Sequence, residues 1–498
     1  MEKVSLSIGR RIASGAFWTV GMRLSIRALG VISGIILARL LVPEDFGIVA
    51  KASMIASFLE LITTFGLEVA LIQNQRAVAG HYNTVWTIHA IRGLFIALLL
   101  VAFAGPAASF FHEPALFSIL WFYALAALLN GFENVGVVDF RKELEFDRDF
   151  RFSLYRKLAG FVVTIAIAYV WRTYWAFVIG TVFASMTALV SSFLMSPYRP
   201  RFSLVEWRSL FQFSKWIFLV GLVRSVSQKL DTFILSRFST TDVVGRYTVA
   251  YEIAGAASTE IAMPIARATL PGLAKLNESL DEFRDMYRRS IAVLLLLAVP
   301  AGLGLSAVAV PLTDVVLGDK WSEAAPIIQI LAIYGVVRSV FAVSTSAFMS
   351  SGQVRTLGLL SLFNLTIRVI GLGAGFAING LLGLAAGVLI AGTVQMIVSL
   401  FVQQFVGLLG VAQLANDTWR LIFAGLVMYA GLVYGLPLIG PLEGLSGILL
   451  LGIQVLVGAF VYLLLVGLLW WLTGRGEGPE QTVWNYVASG PVAPSTGQ

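Results

Sequence analysis

Long apolar runs alternate with short polar connections along the whole chain. At a rise of 1.5 Å per residue, a run of about 18 to 28 residues crosses a hydrocarbon core as one α-helix. About fourteen can be drawn, at roughly 13–40, 45–71, 83–104, 115–138, 152–170, 174–195, 213–236, 246–266, 290–312, 324–349, 357–377, 380–404, 419–437 and 445–472. Backbone groups in lipid must be bonded within each segment, and the pattern does not alternate as barrel strands do. It therefore predicts an all-α polytopic membrane protein.

Composition agrees: 58% of the residues are hydrophobic, 13% are charged and the mean hydropathy is +0.85. The net charge of +7 comes from basic residues in short loops, which is a topology signal and excludes a nucleic-acid stripe. With the N-terminus inside, twenty Lys and Arg fall on inner segments, including Lys3, Arg10, Arg11, Arg141, Lys142, Arg148, Arg199, Arg201, Arg289 and Arg420. Only Arg39, Arg172, Arg237, Arg246 and Lys320 fall on outer loops, so an even number of spans with both ends cytoplasmic is expected. The first span is too long for a cleaved signal and holds two arginines, so it reads as retained. There is no cysteine, which excludes disulfides and thiolate metal sites.

Sliding the chain on itself by about 198 residues places Trp18 on Trp216, Arg39 on Arg237, Glu44 on Asp242 and Gly47 on Gly245. Each match falls at the same place relative to a span boundary. Span one then corresponds to span seven, and two six-helix lobes of like topology follow. The expected organisation is an N-terminal lobe over 1–212, a second lobe over 213–410, two added spans over 411–472 and a cytoplasmic tail over 473–498.

Charges inside the spans mark candidate chemistry, because each costs roughly 2.5–3.5 kcal/mol at bilayer depth unless it faces a wet interior. Arg23 and Arg27 lie one helical turn apart and can present two planar forks to one anion, or snorkel to the surface. Lys51 reads equally as a cavity charge and as an interfacial lysine. Arg224, Lys229 and Asp231 share span seven, as a packing ion pair or as a substrate or ion site. Glu60 with Glu68, and Glu252 with Glu260, lie eight apart on one side of their spans. Such carboxylates could couple transport to H+ or Na+, or pair structurally with arginines. Arg92, Arg338 and Arg368 read as snorkelling residues, while Gly30, Gly34 and the run Gly371–Gly375 read as helix contacts.

Several strings resemble one family: "ARLLVPEDFGIVA" after span one, "GLEVALIQNQ", "HYNTVW", "FRKELEFDRDFR" and "DTFILSRF…VGRYTVAYE" across spans seven and eight. These are similar to the Wzx-type polysaccharide flippases of the multidrug/oligosaccharidyl-lipid/polysaccharide exporter superfamily, over about residues 10–410. The resemblance implies a bacterial inner-membrane protein that moves an undecaprenyl-diphosphate-linked sugar repeat between leaflets by alternating access. It further implies a basic cavity lined by spans one, two, seven and eight, where Arg23, Arg27, Lys51 and Arg224 would receive the diphosphate. Glu60, Asp231, Glu252 and Glu260 would be the ion-coupling or cavity carboxylates. Its partners would be membrane lipids and the polymerase and chain-length proteins of the pathway, with no cofactor beyond a coupling ion.

Rival readings are a lipid II flippase, a multidrug/cation antiporter and a membrane-embedded polymerase or ligase. The last usually carries a large outer loop, whereas the longest here, about 312–323, is short. Asp147-Arg148-Asp149 matches a metal-binding DxD pattern but sits in an arginine-crowded loop without an α/β domain. The histidines His81, His89 and His112 lack metal-ligand spacing, so an enzyme is not expected.

Overall fold

The computed structural model describes residues 2–62, 67–74, 76–207, 226–435, 446–474 and 478–481, which are helical with short connections and contain no strand. They belong to two compact units, Met1–Gly245 and Arg246–Gln498. The first holds α1 (Glu2–Leu40), α2 (Pro43–Ile62), α3 (Leu67–Gln73), α4 (Ala79–Phe110), α5 (Ala115–Gly131), α6 (Asp139–Lys142), α7 (Phe146–Trp171), α8 (Trp175–Met195) and α9, helical over 226–238. α10 (Thr241–Lys275) begins in the first unit. The second continues with α11 (Leu280–Ala307), α12 (Ala309–Leu312), α13 (Ala325–Ser350), α14 (Val354–Phe405), α15 (Val411–Ala430) and α16 (Gly447–Leu472).

Among the described residues nine helices are long and apolar enough to cross a membrane, or ten if Ala115–Gly131 and Val135–Lys142, bent by 66°, form one span. α2 and α10 are long enough but carry interior charges, Lys51 and Glu60 on one and Glu252 and Glu260 on the other. α14 is two spans in one run: Asn379 (φ −145°) and Gly380 (φ +52°) break it. Glycines close that hairpin. A Cβ on Gly375 would lie 2.1 Å from the Gly383 carbonyl oxygen, and one on Gly387 would lie 2.0 Å from that of Gly371. The Gly371–Gly375 run is thus a helix contact, as its sequence suggests. For Gly30 and Gly34 no such contact is seen among the described residues: nothing outside their own stretch of helix lies within 4 Å of a Cβ at either.

The repeat is visible in the geometry. α2 begins at Pro43 and α10 at Thr241, 198 residues on, and α4 and α11 start and end within three residues of the same correspondence. A Cβ on Gly47 would meet the Thr241 carbonyl oxygen at 1.7 Å, and one on Gly245 would meet that of Pro43 at 1.8 Å. Positions 43 and 47 therefore touch positions 241 and 245 reciprocally. Trp216 lies outside the described residues.

Candidate transport site

α1 packs on α7, with the Trp18 and Phe150 rings 5.3 Å apart. At 100° per residue Arg27 stands roughly 180° around the helix from Trp18, so the face that carries it turns away from α7. Arg23, Arg27, Gly30 and Gly34 follow one another at helical spacing on that face; Arg23 is exposed and Arg27 half-buried. Leu24, Val31 and Ile35 form a second exposed stripe about 100° away, which is apolar and suits lipid. The two stripes differ in kind: one carries guanidinium groups, the other hydrocarbon.

Lys51 sits one turn beyond the Gly47 contact and is 2% exposed. Its Nζ donates to Thr241 Oγ1 at 2.8 Å and lies 3.6 Å from Glu113 Oε2, and Thr241 Oγ1 donates to the same carboxylate at 2.6 Å. Burial makes this closed triad a condition of keeping the charge, since an unpaired ammonium there would be costly. Asp45, also buried, accepts from the backbone N–H of Val42 at 3.1 Å and of Tyr174 at 2.8 Å, which fixes the start of α2 against α8.

Toward the other end of α2 a second polar cluster surrounds a cavity of about 30 Å³ lined by Glu60, His89, Arg92, Gly93, Ile96, Ala127, Asn130 and Gly131. α4 and α5 can approach there because Gly93 and Gly131 meet backbone to backbone, a Cβ on Gly93 falling 2.6 Å from the Gly131 Cα. Arg156 of α7 reaches Asn130 Oδ1 at 3.4 Å and Glu133 at 3.8 Å, and Arg141 reaches Glu68 at 3.7 Å and Asp149 at 3.1 Å. Glu60 and Glu68 supply the charge opposite Arg92. Arg92 is therefore an interior residue and not the snorkelling one expected from sequence. The DxD carboxylates are engaged in ion pairs, Asp149 with Arg141 and Asp147 with Arg151.

The remaining candidates are on α9 and in the second unit. Asp231 of α9 is buried, Lys229 is half-buried, and Glu252 and Glu260 of α10 are exposed. Arg224 lies outside the described residues. Arg338 donates to the Tyr251 hydroxyl at 3.0 Å, and Arg368, 7% exposed, to the Tyr334 hydroxyl at 2.9 Å. Both are packed inside the second unit and neither snorkels. Arg420 is likewise no loop charge: it is buried and holds Glu480 at 3.1 and 3.2 Å.

Long apolar helices with charged groups between them define a multi-span membrane protein, and the fold has solved counterparts. It matches the structure titled "Lipid II flippase MurJ, inward closed conformation" with a TM-score of 0.72 at 12% identity, covering 91% of this chain and 99% of that one. The sequence is 24% identical over 401 residues to the lipopolysaccharide biosynthesis protein WzxC of Escherichia coli (strain K12), covering 80% of this chain and 82% of that one. It is also 24% identical to the succinoglycan biosynthesis transport protein ExoT of Rhizobium meliloti (strain 1021), covering 64% of each. The family model described as "Polysaccharide biosynthesis protein" matches residues 36–326, and the chain belongs to that family.

Proposed function

We propose that the chain flips a polyprenyl-diphosphate-linked oligosaccharide across the bacterial inner membrane by alternating access, for lipopolysaccharide or exopolysaccharide synthesis. Family membership, a relative named as a transport protein and a fold shared with a lipid II flippase support this reading. The observation that carries it is the α1 face, where Arg23 and Arg27 stand one turn apart on the side turned away from α7. Two guanidinium forks at that spacing match the oxygens of a diphosphate, and the adjoining apolar stripe suits a prenyl chain. Glu60, beside Arg92, is the carboxylate best placed to couple a proton or Na+ to the cycle. The basic asymmetry of the loops supports cytoplasmic termini, with the Gly47–Gly245 contact toward the periplasm.

The test is a flipping assay in proteoliposomes, with a fluorescent polyprenyl-diphosphate oligosaccharide and a membrane-impermeant quencher. Protein-dependent loss of protection is expected for the lipid-linked sugar. Equal rates for empty and protein-containing vesicles would overturn the reading.

A further inference from the structure

The segment that follows α8 is a strap over residues 196–207, irregular to Leu204 and closed by a turn at 205–207, tied to the first turns of α4. An irregular chain outside a sheet leaves its backbone N–H groups in need of acceptors, and here side chains of α4 supply them. The N–H of Arg201 donates to Asn83 Oδ1 at 2.9 Å, that of Ser203 to Thr87 Oγ1 at 2.9 Å and that of Glu206 to Thr84 Oγ1 at 3.2 Å. Asn134, fully buried, donates from Nδ2 to the Tyr198 carbonyl at 2.7 Å. The Tyr198 hydroxyl donates to Asn83 Oδ1, and burial, with the Asp139 carboxylate nearby, pushes its pKa up to about 12, so the proton stays. Asn83 and Thr84 belong to the "HYNTVW" string, whose polar members thus serve as a rack for the strap.

With its polar backbone turned to α4, the strap leaves its apolar side chains largely exposed, the Phe202 ring also resting on Trp86 of α4 with centroids 4.8 Å apart. Phe202 is 71% exposed, Leu204 46%, Val205 81% and Trp207 48%. A strap facing water would be built the other way round. It also follows directly from the end of α8, where Leu194 is 81% exposed on a membrane-crossing helix. Its anchor points Asn83 to Thr87 stand at the start of another such helix, so the strap lies level with a membrane boundary. Arg199 and Arg201, both exposed, flank the apolar residues with positive charge.

We infer that this strap is seated in the lipid headgroup layer, its Phe202, Leu204, Val205 and Trp207 side chains in the acyl boundary and Arg199 and Arg201 against anionic phosphates. Trp, Phe and Arg at one depth are the composition that such a layer selects. This placement is independent of which substrate the transporter carries.

The cysteine-free chain allows a direct test. Val205→Cys and, separately, Leu204→Cys would carry an environment-sensitive fluorophore in nanodiscs of phosphatidylglycerol and phosphatidylcholine, with Arg148→Cys as the solvent control. Lipids brominated near the carbonyl should quench both strap probes about twofold and leave the control unchanged. Aqueous iodide should do the reverse. Replacing Arg199 and Arg201 with Gln should weaken the preference for phosphatidylglycerol. Iodide quenching of both strap probes as efficient as that of the control, with no response to brominated lipid, would overturn the inference. So would strap probes shielded only in native membranes, which would point to a protein partner instead.

Discussion

The two units answer the same problem, polar groups inside a membrane bundle, in different ways. At the repeat offset His89 of α4 corresponds to Tyr287 of α11, and Lys51 of α2 to Val249 of α10. In the first unit these positions belong to charged assemblies: His89 with Arg92 and Glu60 around the cavity, and Lys51 with Glu113 and Thr241. In the second, Val249 is core, and the buried Tyr287 hydroxyl lies 3.0 Å from Ser344 Oγ and bonds Gln403, with Ser399 accepting from Gln403 at 2.8 Å. That network is neutral and set in one large apolar core that includes Phe283, Ile291, Leu294, Phe348 and Leu421. The core of the first unit is divided into smaller clusters, around Ile48 and Leu120, around Leu71 and Trp86, and around Leu37 and Ala176. At these equivalent positions the first unit uses charge and the second a neutral network and core, although the second unit also buries charge elsewhere, as in the Arg420–Glu480 pair.

The sharpest way to break this comparison is to remove charge from each copy. Arg23→Ala with Arg27→Ala should lower flipping by about 100-fold or more at unchanged abundance, since each of the two charge-assisted contacts contributes roughly 1.5–3 kcal/mol. Arg338→Gln, in the second unit, should leave the rate within about twofold while lowering the melting temperature, because its fork is used on Tyr251. Equal loss of transport from both would erase the distinction.

Next in size is Lys51→Met, which leaves Glu113 without its cation and should destabilise the protein by about 3 kcal/mol. Adding Glu113→Gln should recover part of that loss in a thermal-shift assay. No recovery would mean that the triad is not coupled. Gly47→Val and Gly245→Val test the one place where both copies of the repeat do the same work. Each should cost roughly 1–3 kcal/mol, and the two losses should agree, because each new side chain meets a carbonyl of the other element. A large effect at one and none at the other would contradict the reciprocal contact. The smallest effect is expected from Tyr287→Phe, about 1 kcal/mol of stability with an unchanged flipping rate.

Most of the architecture is legible in the hydropathy pattern, since lipid forces each apolar run to be a helix. The four matches at one offset already contain the Gly47–Gly245 correspondence, though not the fact that the two glycines touch. What sequence does not reveal is partnership. Lys51 finds Glu113 and Thr241, 62 and 190 positions away, through helix packing that no local pattern encodes. Arg92 and Arg368 stand mid-helix in α4 and in the first half of α14, and it is their tertiary contacts, which no local pattern encodes, that hold them inside. "HYNTVW" stands out as a family string, but its role as the rack for residues 198–206 depends on the chain returning to it more than a hundred residues later.

Whether the α1 face holds a diphosphate is tested most directly by calorimetric binding of a short-chain polyprenyl diphosphate to the detergent-solubilised protein. The wild type should bind the diphosphate more tightly than the corresponding monophosphate. Arg23→Ala with Arg27→Ala should abolish that preference while the melting temperature is kept. Retention of the full preference in a folded double variant would contradict a diphosphate site on that face.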